Sequence, residues 1–280
     1  MSKKKYAVIG HPIGHTMSPF IHKRLFDLQG IDAEYTKLDI PFENFAEEYK
    51  NTLSKLDGYN ITIPHKRTII PYIDEIDEKA KMYGSVNTVD NKNGIAKGYT
   101  TDPDGFLKAL SAAGIVIGGR VVVLGCGGVA RTVAYEIVLK NVPVLFGVRK
   151  EDVQIANDLC AEIKNTVKNA QVRVCLIDEV CGDIDLLINA TPLGMFPKVD
   201  AQPVKDDVIA KCANVFDLVY NPLETMLVQK AKANGAKASG GMSMLVWQAV
   251  VAHEKWDNSV YDVKDIEQLC IDASNELAAK

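Results

Sequence analysis

The stretch Val121-Val122-Val123-Leu124-Gly125-Cys126-Gly127-Gly128-Val129-Ala130-Arg131 constrains this chain more than any other. Four apolar residues in a row, three of them β-branched, predict a strand buried on both faces of a parallel sheet. The glycines behind it permit a tight turn and a close backbone approach, and Ala130 to Ala134 opens a helix. Free N–H groups and the dipole at such a helix start favour an anion. Gly125, Gly127 and Ala130 fill the three small-residue places of the Gly-x-Gly-x-x-Gly/Ala dinucleotide fingerprint, with Gly128 extra. Alone, the pattern also suits a plain buried turn, so the rest of the chain has to decide.

At 280 residues the chain is long for one core, which predicts two domains. A net charge of -4 argues against a nucleic-acid partner, since a phosphate-tracking surface needs a basic excess. No apolar run approaches the roughly 20 residues that span a bilayer, so no membrane partner is expected. Tyr6 to Gly10, behind three lysines, is too short for a signal segment and reads as a first strand. The six cysteines form no C-x-x-C pair and none stands beside a histidine at ligand spacing. They read as buried thiols of a reducing, cytoplasmic protein without a metal site, Cys126 as turn packing rather than a reactive thiolate.

Residues 1 to about 100 read as alternating strands and helices. Strands are expected at 6–10, 33–40, 59–63 and 85–89, the third stopped by Pro64. Helices are expected at 18–28, with Ser18 as N-cap, at 42–53, with Phe42, Phe45, Ala46 and Tyr49 on one face, and at 74–83. A Gly118-Gly119 break precedes the central strand. Beyond it, strands are expected at 142–148, 172–176, 186–190 and 215–219, and helices at 153–165, 225–233, 242–255 and 263–279. The class is α/β with two lobes.

Four short stretches carry side chains suited to chemistry. Thr16 and Ser18 place two hydroxyls near a helix start, which suits a carboxylate, although Ser18 can equally well only cap its helix. His11 and His15 in the same loop read as packing or loop-fixing. On a strand, Asn60 and Thr62 share one face, and Lys66 follows just past the strand's carboxyl end, where open α/β sheets bind ligands. Asn87 and Asp102 repeat the arrangement at two further strand ends. An amide, an ammonium and a carboxylate brought together make a polyol-binding and proton-transfer set. Asp102 taken singly can instead cap the helix that starts at Pro103.

The order of these motifs resembles the shikimate/quinate dehydrogenase family along nearly the whole chain. Its Gly-x-Pro-Ile-x-His-Ser-x-Ser-Pro stands here as Gly10 to Pro19, with Thr16 for the first serine. Its Asn-Val-Thr-x-Pro-x-Lys is Asn60 to Lys66, and its Val-Asn-Thr is Val86 to Thr88. Its Gly-x-Asn-Thr-Asp is Gly98 to Asp102, with Thr100 for asparagine. The Gly-Ala-Gly-Gly-Ala-Ala-Arg loop is Gly125 to Arg131, Asn-Ala-Thr-Pro-x-Gly-Met is Asn189 to Met195, and Gly-x-x-Met-Leu-Val-x-Gln-Ala is Gly241 to Ala249.

The resemblance implies an N-terminal α/β substrate domain (1–101), a Rossmann-like doubly wound NAD(P) domain (102–237) and C-terminal helices (238–280) packing back on the first. It implies reversible NADP-linked reduction of 3-dehydroshikimate to shikimate, in aromatic amino-acid and chorismate biosynthesis. Lys66 and Asp102 are the implied catalytic pair. Thr16 and Ser18 are implied to hold the carboxylate, with Tyr220 near it, and Asn60, Thr62, Asn87, Asp102 and Gln248 the ring hydroxyls. Gly125, Gly127, Gly128, Val129, Ala130, Arg131, Arg149, Lys150, Thr191 and Gly241 are implied to line the cofactor. Arg149 suits a 2′-phosphate, while Glu151 leaves NAD open as a second cofactor. Thr16 and Thr100 leave open a quinate-using enzyme of broad specificity. A non-catalytic shikimate-type sensor is disfavoured, because it has no need of a proton-transfer pair. A monomer or homodimer is expected.

Overall fold

The computed structural model describes residues 3–14 and 16–279, and the chain divides into two compact units. One takes the chain up to Gly105 together with Val246–Leu277; the other is Phe106–Leu245. The boundaries lie further along than the expected 101/102 and 237/238, and both fall inside helices.

The first unit contains β1 (Lys4–Gly10), α1 (Ser18–Gln29), β2 (Ala33–Asp39), α2 (Phe45–Asn51), β3 (Gly58–Ile61), β4 (Glu75–Ile76), α3 (Glu78–Tyr83), β5 (Thr88–Lys92) and β6 (Ile95–Tyr99). Its mixed sheet has the order β2-β1-β3-β5-β6-β4. Strand β1 runs parallel to β2 and β3, whereas β5 is antiparallel to β3 and β6. Ala7, Ile9, Tyr59, Ile61 and Val89 fill the core between sheet and helices. Gly10 ends β1 because a Cβ there would meet the Thr62 methyl at 2.5 Å and the Ile63 carbonyl at 2.9 Å.

Several local expectations fail for identifiable reasons. Ser18 is not the N-cap of α1: Met17 holds that place, Ser18 begins the helix, and Thr16 Oγ1 accepts the Ser18 N–H at 3.2 Å. The expected helix at 42–53 starts with a tight turn at Phe42–Asn44, so Phe42 and Ala46 fall out of phase with buried Phe45 and stay exposed. The expected helix at 74–83 is a two-residue strand followed by α3, because the Asp77 carboxylate caps a later start by accepting from Lys79 N–H at 3.0 Å. The strand expected at 85–89 is β5, the first arm of a hairpin with β6. Its turn, Asn93-Gly94, has positive φ at both residues, the pattern that Asn-Gly favours in two-residue hairpins.

The second unit contains the rest of α4 (Asp102–Ala112), then β7 (Val121–Leu124), α5 (Gly128–Val138), β8 (Val144–Val148), α6 (Val153–Thr166), β9 (Val172–Leu176), β10 (Leu186–Asn189), α7 (Asp206–Ile209), β11 (Asn214–Asp217), α8 (Met226–Ala233), β12 (Lys237–Ser239) and the start of α9 (Met242–Trp256). All neighbouring strands here pair parallel, in the order β12-β11-β10-β7-β8-β9. This is the doubly wound order, with its switch point between β7 and β10. The four residues of β7 are buried on both faces, as their apolar run demands.

The end of α9 and α10 (Val263–Ala278) return to the first unit. Trp256 packs on Tyr6 with centroids 4.6 Å apart and donates its indole N–H to the Val89 carbonyl at 2.9 Å. Among the described residues, no helix is long and apolar enough to cross a membrane. The cysteines are free thiols, but only Cys160 and Cys212 are buried; Cys126, Cys175 and Cys270 are half-buried and Cys181 is exposed, against the expectation that all six are buried.

Candidate active site

In the first unit, the carboxyl ends of β3 and β6 and the lead-in to β5 bring polar side chains to one place. The Asn87 backbone is gripped from both sides: its N–H bonds the Tyr99 carbonyl at 3.0 Å and its carbonyl accepts from Ile61 at 2.8 Å. After Ile61 the chain turns through Thr62, whose carbonyl accepts the His65 N–H at 2.9 Å. The Lys66 carbonyl then takes the Val86 N–H at 2.9 Å, so Lys66 lies against the start of the Asn87 segment. Asp102 opens α4.

Lys66 Nζ lies 2.6 Å from Asp102 Oδ2, with 27% and 17% of the two side chains exposed. Asp102 Oδ1 accepts from Asn87 Nδ2 at 2.9 Å. The carboxylate is therefore engaged by the lysine and the amide. The other Asn87 N–H goes to Thr101 Oγ1 at 2.9 Å, and Asn87 Oδ1 accepts from the Thr101 backbone at 2.8 Å. Thr101 Oγ1 in turn reaches Gln248 Oε1 at 3.5 Å, which ties α9 to the same cluster. Asn60 donates to Thr88 Oγ1 at 3.0 Å and accepts from the Tyr35 hydroxyl at 2.7 Å. The Ser18 hydroxyl lies near enough to the Tyr35 phenol to offset part of the effect of its burial, and Thr16 Oγ1 donates to Ser18 Oγ at 3.2 Å.

Asn60, Lys66, Asn87, Asp102 and Gln248 thus belong to one continuous hydrogen-bonded cluster, and Thr16 and Ser18 bond each other beside its Tyr35 end. Thr62 lies beside it, its backbone N–H on the Ile9 carbonyl at 2.9 Å. Tyr220 belongs to the second unit, after β11, half-buried and with its phenol pushed up by burial. Sequence motifs do not single out Tyr35, Thr88 or Thr101 as site residues. Thr88 and Thr101 lie inside recognised motifs, whereas nothing local marks Tyr35, which reaches Asn60 only because β1 separates their strands. His11 pairs with Asp39 at 2.7 Å, consistent with loop-fixing; His15 lies outside the described residues.

The second unit presents an anion-ready site at its switch point. Gly127 is the extended N-cap of α5 and no side chain caps the helix. A Cβ on Gly127 or Gly128 would meet nothing within 4 Å, so the turn that starts the uncapped helix is open and exposed. Gly125 has φ +91°, a conformation that favours glycine, and a Cβ there would press on the Thr191 methyl at 3.1 Å. Thr191 is held by Asn189 Oδ1, which accepts its N–H at 3.1 Å and its hydroxyl at 2.7 Å. Asn189 also donates to buried Asp217 at 2.9 Å, and Thr225 donates to the same carboxylate at 2.6 Å. Desolvation raises the Asp217 carboxyl above its ordinary range despite these bonds. These features fit a dinucleotide.

The remaining cofactor candidates divide. Val129 is exposed on the first turn of α5 and Ala130 is buried beneath it. Arg131 turns to α6, pairing with Glu162 and lying 5.1 Å from the Tyr135 ring centroid. Arg149 and Lys150 are exposed just after β8, with Arg149 Nε 2.8 Å from Asp152 and Nη1 3.2 Å from Glu151. Cys126 Sγ faces the Asp152 carbonyl at 3.9 Å, and burial pushes its thiol up, the direction of packing rather than of a reactive thiolate. Gly241 lets the start of α9 sit against β11's exit, since a Cβ would meet the Leu218 carbonyl oxygen at 2.3 Å.

A doubly wound sheet with an open glycine turn, joined to a unit carrying a lysine–carboxylate pair among amides and hydroxyls, defines a dinucleotide-linked dehydrogenase. A shikimate dehydrogenase (NADP(+)) of Methanosphaera stadtmanae is 37% identical over 88% of this chain and 89% of its own length. The chain belongs to the shikimate dehydrogenase family. Residues 8–89 match the family's substrate binding domain. Two solved structures agree in fold. A shikimate dehydrogenase in complex with NADP+ is 35% identical, covering 96% of this chain and 95% of that one, with a TM-score of 0.87. The shikimate 5-dehydrogenase of Thermus thermophilus, in complex with NADP(H) and shikimate, is 31% identical over 96% and 99% of the two chains, with a TM-score of 0.85.

Proposed function

We propose that this protein interconverts shikimate and 3-dehydroshikimate with NADP, in the cytoplasm, as a step of chorismate and aromatic amino-acid biosynthesis. The observation that carries the reading is the 2.6 Å Lys66–Asp102 contact, set within a cluster of amides and hydroxyls suited to a polyol. When bound, the nicotinamide takes or supplies the hydride. Loss of hydride from a carbinol carbon requires its hydroxyl proton to leave as well, and Lys66 is the group that takes or guides it. As an ammonium, Lys66 also stabilises developing alkoxide charge and, in the reverse direction, polarises the carbonyl. Asp102 orients the lysine. Asn87 has both N–H groups engaged by Thr101 and Asp102, so it serves the ring hydroxyls through Asp102.

Thr16 and Ser18 take the carboxylate, with Tyr220 near it, and Asn60, Thr62 and Gln248 the remaining hydroxyls. Gly125 to Arg131 receive the pyrophosphate, Arg149 and Lys150 the 2′-phosphate, and Thr191 and Gly241 complete the cofactor's side. Initial rates of nicotinamide reduction, measured with shikimate or quinate against NADP+ or NAD+, test the assignment. The highest kcat/KM is expected for shikimate with NADP+. Preference for quinate overturns the substrate, and preference for NAD+ the cofactor. Shikimate binding without turnover points to a sensor instead.

A further inference from the structure

One run of side-chain hydrogen bonds in the first unit keeps a single direction from Tyr35 to Asp102. The Thr16 hydroxyl donates to Ser18, whose hydroxyl lies near that of Tyr35, and Tyr35 donates to Asn60 Oδ1. Asn60 Nδ2 donates to Thr88, Thr88 Oγ1 donates to Asn87 Oδ1 at 3.1 Å, and Asn87 Nδ2 donates to Asp102. A side-chain amide can point either way, and each of these two is oriented by what it receives at its oxygen. Thr101's backbone N–H also pins Asn87, but on the strands Asn60 Oδ1 receives its bond from Tyr35. Tyr35 sits on β2, opposite Tyr6 of β1, while Asn60 on β3 lies opposite Val8, so the phenol reaches past a whole strand. Its ring is fixed by stacking on buried His22, with centroids 4.2 Å apart and planes 5° from parallel. Burial holds the phenol well above the ordinary tyrosine range, which keeps it a donor.

We infer that Tyr35 is a positioning residue for this site: its hydroxyl fixes the orientation of the Asn60 amide and, through Thr88, bears on the Asn87 amide that holds Asp102. The inference rests on the proposed shikimate chemistry for its kinetic consequence, but its structural content does not. Tyr35→Phe keeps the ring on His22 and removes only the donor. Asn60 Oδ1 is then left unsatisfied or the amide turns over, and kcat/KM for shikimate is expected to fall about tenfold or more. KM for NADP+ should stay within about twofold, because the cofactor residues lie in the other unit; a variant that is merely less stable loses folded enzyme without this split. Thr88→Val cuts the same chain one link further on. In that background Tyr35→Phe should cost less than it does in the parent.

A readout independent of turnover separates failure of this inference from failure of the assigned function. In the ligand-free, 15N-labelled full chain, Tyr35→Phe should move the side-chain amide signals of both Asn60 and Asn87. If the Asn87 signals stay in place, or the parent turns over shikimate and Tyr35→Phe matches it, Tyr35 does not position the site. If the parent is inactive on shikimate while both amides shift, the positioning role stands and the substrate assignment falls.

Discussion

Lys66 and Asp102 sit where neither full solvation nor deep burial applies, and a pair of this kind holds its geometry better than two charges on an open surface. The carboxylate has two claims on it as the first residue of α4, and the contacts decide between them: its oxygens go to Lys66 and Asn87. On the proposed reaction, Lys66→Ala removes the group beside the reacting oxygen while leaving the amides in place. Turnover of shikimate is expected to fall by at least about 10²-fold with little change in KM, measured by steady-state kinetics in both directions. Arg149 is braced by Glu151 and Asp152 at the end of β8, and on the proposed cofactor assignment it exchanges those carboxylates for the 2′-phosphate. Arg149→Ala should reduce the ratio of kcat/KM for NADPH over NADH by at least about tenfold, since a charged hydrogen bond contributes roughly 1.5–3 kcal/mol. Most of these side chains were readable from motif and position. Tyr35 was not, because its partner is set by strand order rather than by spacing along the chain.

Helices α4 and α9 meet at Gly105, where a Cβ would lie 2.7 Å from the Gln248 nitrogen and 2.9 Å from its Cα. The obstacle is backbone, so the helices must separate to admit even a methyl group. Gly105→Ala should destabilise the protein by about 1–3 kcal/mol in urea unfolding. It should also raise KM for shikimate, because Gln248 moves with its helix; an unchanged KM would falsify the placement of Gln248 in the site. At this scale the sequence was an uneven guide. The run Val121 to Leu124 with its glycines predicts β7 and α5 directly, because full burial and a helix start each leave local marks. The Asn93-Gly94 turn left an equally local mark that the strand pattern around it obscured. The helix at 42–53 misled because a tight first turn shifts the phase of everything after it.

His22 and His253, on α1 and α9, meet in the core of the first unit with ring nitrogens 3.1 Å apart. Burial lowers His22 well below its ordinary range and brings His253 down to about 3. Above the unfolded value near 6.5 both rings are neutral in either state and impose no pH dependence. As pH falls from there towards the folded value, the unfolded chain takes up protons that the folded core refuses, so stability drops. The slope is at most about 1.4 kcal/mol per pH unit for each histidine, and urea midpoints followed from about pH 7 to about pH 4 should show it. Asp217 and Asp90, whose carboxyls burial raises, act in the opposite sense. Comparison with His253→Gln, which should flatten the slope, isolates the histidine part.

Sequence alone determined the α/β class, the dinucleotide turn and the identity of most polar residues in the site, because buried-strand patterning and glycine turns are local physics. Tertiary structure decided which hydroxyls and amides bond each other, that Asp102 serves Lys66 rather than a helix cap, and that Tyr35 reaches Asn60 across β1. Those outcomes depend on strand order and helix crossing, which bring distant residues within hydrogen-bond reach and leave no periodic trace along the chain. The stretch from Val121 to Arg131 prepares a place for the cofactor; the hydrogen-bonded cluster around Lys66 and Asp102 exists only once the first sheet has formed.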